Sequence, residues 1–137
     1  MPETRKRNGT PGDDSPVACA ASLLGAAFVV FQLFHQGASP EATLPMLAPW
    51  DKVAHFLVYC AITALLWFGT GGRMPIAVVT IAVAIGTFDE LHQGTLPGRI
   101  ADGWDFLTGL CAAALTVFSL LLLFGASAAR RNASITP

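Results

Sequence analysis

Ionisable side chains are concentrated in three short segments of this chain, and their spacing suits acid–base or ion-binding chemistry. Asp51, His55 and Tyr59 are four residues apart, so a helix would place them on one face. Five of the nine acidic residues lie in these segments. The complete set is Asp51, Lys52, His55 and Tyr59, then Asp89, Glu90 and Gln93, and then Arg99, Asp102 and Asp105.

Two of these residues have the chemistry of a catalytic pair. His55 and Glu90 are the candidate acid and base, because an imidazole and a carboxylate can pass a proton to and from a bound substrate. Arg99 has a planar guanidinium that suits a phosphate or carboxylate, and Lys52 would add a second cation. The other candidate substrate-binding residues are Asp51, Tyr59, Gln93 and Asp102.

The acidic residues also suggest a divalent cation. Asp89, Glu90 and Asp105 are the candidate ligands, since hard cations prefer carboxylate oxygens. Neighbouring carboxylates repel each other unless a cation lies between them. No ligand spacing in the sequence requires the ion, so the sequence leaves the cofactor open.

Several members of the set have a structural alternative. Asp51 would interact favourably with the positive end of a helix dipole, and Asp102 or Asp105 could cap the helix that follows. Lys52 could anchor the chain at the membrane surface, and Tyr59 could be a packing residue.

Composition predicts the elements that position these residues. The 137-residue chain is 53% hydrophobic and only 12% charged, whereas soluble domains carry about 25% charged residues. Four runs at 17–34, 53–69, 75–88 and 106–124 contain no Lys, Arg, Asp or Glu. A helix needs about 20 residues to cross a bilayer, so the third run qualifies only if its helix continues through Asp89 and Glu90. We therefore predict an all-α membrane protein with a bundle of four transmembrane helices.

The first run could instead belong to a signal peptide, because Arg5, Lys6 and Arg7 precede it. Its length exceeds the about 7–15 residues typical of a signal-peptide core, which favours a retained helix. The predicted domains are a disordered cytoplasmic tail at 1–16, a membrane domain at 17–127 and a second cytoplasmic tail at 128–137. In that second tail, Arg130 and Arg131 are expected to end the fourth helix at the lipid headgroups rather than to bind nucleic acid.

Basic residues predict the orientation, because cytoplasmic loops are enriched in Lys and Arg. Six of the eight basic residues fall on one side: Arg5, Lys6, Arg7, Arg73, Arg130 and Arg131. Both termini are then cytoplasmic, and the loops at 35–50 and 93–104 are external. Trp50 and Trp104 at the outer ends and Trp67 at the inner end fit this topology as interface residues. All three polar segments then meet at the outer face.

The polar residues of all three segments, taken together as one pattern, are more specific than the residues of any single segment. The pattern runs Asp51-Lys52-x-x-His55-x-x-x-Tyr59 and then Asp89-Glu90-x-x-Gln93-x-x-x-Pro97-x-Arg99-x-x-Asp102-x-x-Asp105. This pattern resembles the VanZ-like family of small bacterial membrane proteins over residues 51–112. The family's pattern continues with Asn and Gly where this chain has Gly109 and Ala112. The resemblance implies a multi-pass protein of the cytoplasmic (inner) membrane, in a family whose name-giving member is linked to teicoplanin resistance.

Two functions are compatible with these patterns. In the first, the chain acts on or binds an envelope lipid or a peptidoglycan intermediate, and so affects glycopeptide susceptibility as an antibiotic-resistance protein of the cell envelope. In the second, it is a non-catalytic structural or interaction protein, and the polar segments form an ion-pair network that fastens its helices. Its expected partners are membrane lipids and not nucleic acid, and the sequence leaves the oligomeric state open.

Overall fold

The computed structural model describes residues 15–38, 50–97 and 102–133, with side chains as far as Phe124. Four helices make up the regular structure of these residues: α1 (Pro16–Gly37), α2 (Trp50–Gly69), α3 (Pro75–Gln93) and α4 (Gly103–Ala133). All four are long and apolar enough to span a membrane, α4 over Gly103–Phe124. The prediction of an all-helical chain with four candidate spans is therefore confirmed. The predicted tail at 1–16 lies, apart from its last two residues, outside the described part of the chain.

Two helix ends bear on the predictions. α3 continues through Asp89 and Glu90 to Gln93, as its short apolar run required for a span. α4 passes through Arg130 and Arg131 and ends at Ala133, so these arginines do not stop the helix. Arginine has a high helix propensity, and positive charge near a helix C-terminus is favourable. The first part of the predicted second tail is therefore helical.

The turn between α2 and α3 folds back over a tryptophan. Gly71 and Gly72 have φ angles of 63° and 69°, which L side chains rarely adopt. The Gly72 amide donates a hydrogen bond to the Trp67 carbonyl at 2.9 Å, and a Cβ on Gly72 would lie 3.1 Å from the indole ring. Trp67 is only 5% exposed and packs with Val78 and Val117. It therefore faces the inside of the bundle and not the lipid interface predicted for it.

α2 is the central helix, because it packs extensively against both α1 and α4 and also contacts α3. Small side chains such as Ala82, Ala112 and Ala113 are buried between the helices, which lets the backbones approach closely. Many large apolar side chains point outward, among them Phe28, Ile76 and Phe118. An apolar exterior around a thin interior is the pattern expected of a helix bundle in lipid.

Candidate functional site

One end of the bundle collects the three polar segments. α2 and α4 begin there and α3 ends there, so the antiparallel arrangement brings their polar residues together. We call this group the polar cluster; its described members are Asp51, Lys52, His55, Asp89, Glu90, Gln93, Asp102 and Asp105. The convergence predicted from sequence is thus present. Arg99, the predicted anion-binding residue, lies outside the described residues.

Lys52 links α2 to the start of α4. Its Nζ lies 2.5 Å from Asp102 Oδ2, contacts Asp105 Oδ1 and lies 3.4 Å from Asp51 Oδ2. The ammonium group is therefore already surrounded by carboxylates of the protein. This arrangement leaves it less available to a ligand phosphate than the sequence suggested, and it directs the side chain into the polar cluster.

Asp102 is the residue that caps α4. Its Oδ1 accepts a hydrogen bond from the Trp104 amide at 2.9 Å, and its own amide donates to Glu90 Oε2 at 2.8 Å. The Lys52 ammonium holds the pKa of the Asp102 carboxyl below its usual value, with help from the Trp104 amide. Of the two aspartates considered as caps, Asp102 takes that role, while Asp105 lies within the first turn of the helix and binds Lys52.

His55 is held by its own helix on one side of its ring. Nδ1 lies 3.3 Å from the carbonyl oxygen of Asp51, and the ring stacks over Tyr59 with an interplanar angle of 17°. Nε2 is buried and has no hydrogen-bond partner among the described residues. The nearest carboxylate oxygen to it among the described residues is Asp89 Oδ2 at 3.7 Å, which is too far for a hydrogen bond.

Asp89 is a deeply buried carboxylate with only part of its hydrogen-bonding capacity used. The residue is 1% exposed, and Oδ2 accepts a hydrogen bond from Gln93 Nε2 at 3.0 Å. Oδ1 is also buried, and no described residue donates to it. Because Gln93 is itself buried and holds the carboxylate, it positions Asp89 instead of facing open space.

Three side chains of the polar cluster lie close enough to share one ion. Ligand atoms of His55, Glu90 and Asp105 all lie within 4.8 Å of one another. The metal ligands predicted from sequence were Asp89, Glu90 and Asp105, so His55 takes the place of Asp89 in the group that the structure brings together. Asp89 instead lies beside the imidazole and is held by Gln93.

Tyr59 closes the polar cluster on the side toward the bundle interior. It is 2% exposed; a Cβ on Gly86 would lie 3.4 Å from its hydroxyl, and one on Gly109 would lie 3.2 Å from its ring. Thr63, one further step of four along the same face, is fully buried, and its Oγ1 has no hydrogen-bond partner among the described residues. Sequence reasoning missed Thr63, although the four-residue spacing from His55 through Tyr59 continues to it.

A second concave region lies at the opposite end of α3. This shallow groove of about 570 Å³ runs between Arg73 and Ile81 and is mainly apolar. It includes no member of the polar cluster, so the candidate chemistry does not take place there.

No protein-family profile, curated protein or solved structure matches this chain.

Proposed function

We propose that this chain is a VanZ-like protein of the inner membrane whose polar cluster faces outward and binds or acts on an envelope lipid or a lipid-linked cell-wall intermediate. The proposal that the polar cluster binds a ligand rests on two of its buried atoms, His55 Nε2 and Asp89 Oδ1, which have no hydrogen-bond partner among the described residues. The VanZ-like and envelope assignment rests on the resemblance of the sequence pattern. Buried polar atoms in folded proteins nearly always have partners, and an exception calls for an explanation such as a catalytic role or a bound ion. A ligand entering the polar cluster would supply the missing partner.

His55 and Glu90 are the proposed acid–base pair. They come from different helices, their ligand atoms lie within 4.8 Å of each other, and both are partly buried. Glu90 is held by the Asp102 amide, which fixes the carboxylate in place. A proton could then pass between a bound substrate and either side chain.

Charge determines which parts of a substrate the site would accept. Among the described members of the polar cluster, five carboxylates accompany a single lysine, which is already engaged by three of them. An anionic headgroup therefore needs another cation, and Arg99 is the proposed one. Altered glycopeptide susceptibility is the proposed consequence of acting on a cell-wall intermediate.

The first test separates chemistry from stability. We expect His55→Ala and Glu90→Gln proteins to accumulate normally yet lose the wild-type protein's effect on teicoplanin susceptibility in a host deleted for the native copy. The measurements are inhibitory concentrations for teicoplanin and other envelope-directed antibiotics, protein abundance in membranes, and levels of lipid-linked cell-wall intermediates.

His35→Ala is the matched control, because it removes an exposed imidazole on α1. It should behave like the wild type. If both cluster variants accumulate normally and keep the full phenotype, the proposed site chemistry is wrong.

A second function is favoured by a different observation, namely that the contacts of Lys52 and Glu90 join helices. Lys52 connects α2 to Asp102 and Asp105, and Glu90 connects α3 to the Asp102 amide. In this alternative, the polar cluster is a non-catalytic network that fastens three helices, and function depends on a partner.

A double-mutant cycle tests this alternative. Lys52→Met and Asp105→Asn should each lower the free energy of unfolding in detergent by about 1–3 kcal/mol, because each removes one member of a partly buried ion pair. The double variant should show a coupling of about 0.5–3 kcal/mol, measured from denaturant or thermal unfolding curves.

Asp51 provides the matched comparison, since its oxygen lies 3.4 Å from Lys52 and its side chain is 31% exposed. The cycle between Lys52→Met and Asp51→Asn should give a smaller coupling. Equal couplings, or unchanged unfolding in all variants, would contradict the fastening function.

A further inference from the structure

We infer that His55, Glu90 and Asp105 bind one divalent first-row transition-metal ion, Zn²⁺ or Mn²⁺, beside the buried carboxylate of Asp89. Each ligand comes from a different helix: His55 from α2, Glu90 from α3 and Asp105 from α4. The inference goes beyond the proposed function: with the ion bound, His55 and Glu90 would be ligands, and a water molecule on the metal would take the acid–base role proposed for them.

The distances allow an ion to bind after side-chain adjustment. Ligand atoms of the three residues lie within 4.8 Å of one another. Atoms bound at about 2.0–2.2 Å from one tetrahedral metal lie about 3.3–3.6 Å apart. Rotamer movements of about 1 Å in side chains that are only partly buried would bring the three ligand atoms to these distances.

The hydrogen bonding of His55 prepares one nitrogen for a metal. A carbonyl oxygen can only accept, so the contact at 3.3 Å between Nδ1 and the Asp51 carbonyl assigns the ring proton of a neutral imidazole to Nδ1. Nε2 then presents a lone pair, and this is the buried atom that no described residue satisfies. Metal-binding histidines characteristically donate their other ring N–H to a carbonyl or carboxylate.

Asp89 gives a second and independent indication of a cation. It is 1% exposed, its Oδ1 has no hydrogen-bond partner among the described residues, and its Oδ2 lies 3.7 Å from His55 Nε2. A buried carboxylate is costly unless a positive charge lies close to it. Lys52 is engaged by the carboxylates of Asp102 and Asp105, and a neutral His55 imidazole carries no charge, so a bound cation would supply the positive charge beside Asp89.

The two carboxylate ligands can bind an ion without giving up their present contacts. The Asp102 amide donates to Oε2 of Glu90, and Lys52 contacts Oδ1 of Asp105, so each carboxylate has a second oxygen for a metal. One imidazole nitrogen with two carboxylate oxygens suits zinc or manganese, whereas magnesium and calcium prefer oxygen alone. Three protein ligands also leave a coordination position for a phosphate oxygen or water.

Metal binding by the purified full-length chain tests the inference directly. The protein would be produced without a polyhistidine tag, treated with a chelator in detergent and titrated with Zn²⁺, Mn²⁺ and Mg²⁺, with bound metal measured by mass spectrometry and calorimetry. We expect one equivalent of Zn²⁺ or Mn²⁺ per chain and weaker binding of Mg²⁺. His55→Ala and Glu90→Gln should each weaken Zn²⁺ binding by at least about tenfold, while His35→Ala should leave it unchanged.

Cobalt distinguishes this site from the cysteines, which are unpaired at Cys19, Cys60 and Cys111. Co²⁺ in the proposed site should show ligand-field bands without a thiolate-to-cobalt charge-transfer band. A thiolate band, absence of saturable binding by the wild type, unaltered binding by folded His55→Ala, or a preference for Mg²⁺ would each overturn the inference. The wild-type titration and the cobalt spectrum decide the matter even if a variant fails to fold.

The outcomes also separate this inference from the proposed function. Loss of phenotype in His55→Ala together with no metal bound by the wild type would reject the metal site and leave the proposed chemistry standing. Stoichiometric metal binding together with an unchanged phenotype in folded variants would support the metal site and reject the proposed chemistry.

Discussion

Asp102 attaches the start of α4 to both of the other helices in the polar cluster. Its carboxylate accepts hydrogen bonds from Lys52 on α2 and from the Trp104 amide, and its amide donates to Glu90 on α3. The cap and the ion pair both favour the ionised carboxylate. The state of this one group therefore affects how the three helix ends are joined.

Because the ionised Asp102 carboxylate makes these contacts, the stability of the folded protein should fall at acidic pH. Lys52 and the Trp104 amide lower the pKa of the folded Asp102 carboxyl below the unfolded value of 3.8. The stabilisation is therefore fully present above about pH 3.8 and is lost as pH falls through the lower folded pKa. The effect should be small, because solvent screens an exposed carboxylate.

Unfolding in detergent across this acidic range is the measurement, with Asp102→Asn as the comparison. The stability difference between the wild type and Asp102→Asn should shrink as pH falls below 3.8. A difference that stays constant across the range would show that the ion pair does not contribute.

At the scale of single residues, the sequence predicted which side chains converge but not how they pair. The alternation of the four predicted spans placed the polar segments at one end of the bundle, and the four-residue spacing of His55 and Tyr59 placed both on one helix face. The choice of Asp102 and Asp105 as partners of Lys52 depends on helix rotation and side-chain rotamers. These are determined by packing between helices, which the spacing of residues along one helix does not specify.

Close packing around Tyr59 determines how α2, α3 and α4 approach one another. Gly86 on α3 and Gly109 on α4 both face the Tyr59 side chain, at distances where an added Cβ would be in contact with it or would crowd it. The resemblance placed Gly109 where the VanZ-like pattern has Asn. The structure explains why a glycine lies at this position, since the missing side chain of Gly109 leaves room for the ring of Tyr59.

Substitution at Gly109 should therefore separate the helices. The Cβ of Gly109→Ala would lie 3.2 Å from the ring of Tyr59, so we expect a loss of about 1–3 kcal/mol from overpacking. Thermal unfolding in detergent measures this loss. Gly103→Ala is the matched control: nothing lies within 4 Å of its added Cβ, so it should be neutral or stabilising by up to about 1 kcal/mol. Equal effects of the two variants would show that packing on Tyr59 is not limiting.

At the scale of helices, hydropathy predicted the number of helices reliably. The residues expected to mark helix ends were less reliable. Four apolar runs gave four helices, and the third needed its polar end to reach membrane length, as found. Arg130 was expected to end α4, but arginine is a good helix former and hydropathy reports only where the apolar stretch ends. Trp67 was expected at the membrane surface, but the glycine turn after α2 encloses it.

At the scale of the whole molecule, the positions of the basic residues predict its orientation in the membrane. Alkaline phosphatase fused after Thr95 should be active in a Gram-negative host, because its disulfides form only outside the cytoplasm. A fusion after Arg73 should be inactive, and green fluorescent protein at the C-terminus should be fluorescent. The reverse pattern would place the polar cluster on the cytoplasmic side and contradict the proposed access to an external substrate.

Below the polar cluster, side chains of the described residues fill the bundle interior. Tyr59 fills the space beside α3 and α4, and Ile62, Val78 and Ala112 beyond it are all buried without exposure. An ion that enters the polar cluster therefore meets a low-dielectric barrier and can leave only by the side from which it came. An ion that enters such a blind-ended site moves through little of the transmembrane electric field, so occupancy of the site should be insensitive to voltage. The protein should also add no ionic conductance to a lipid bilayer.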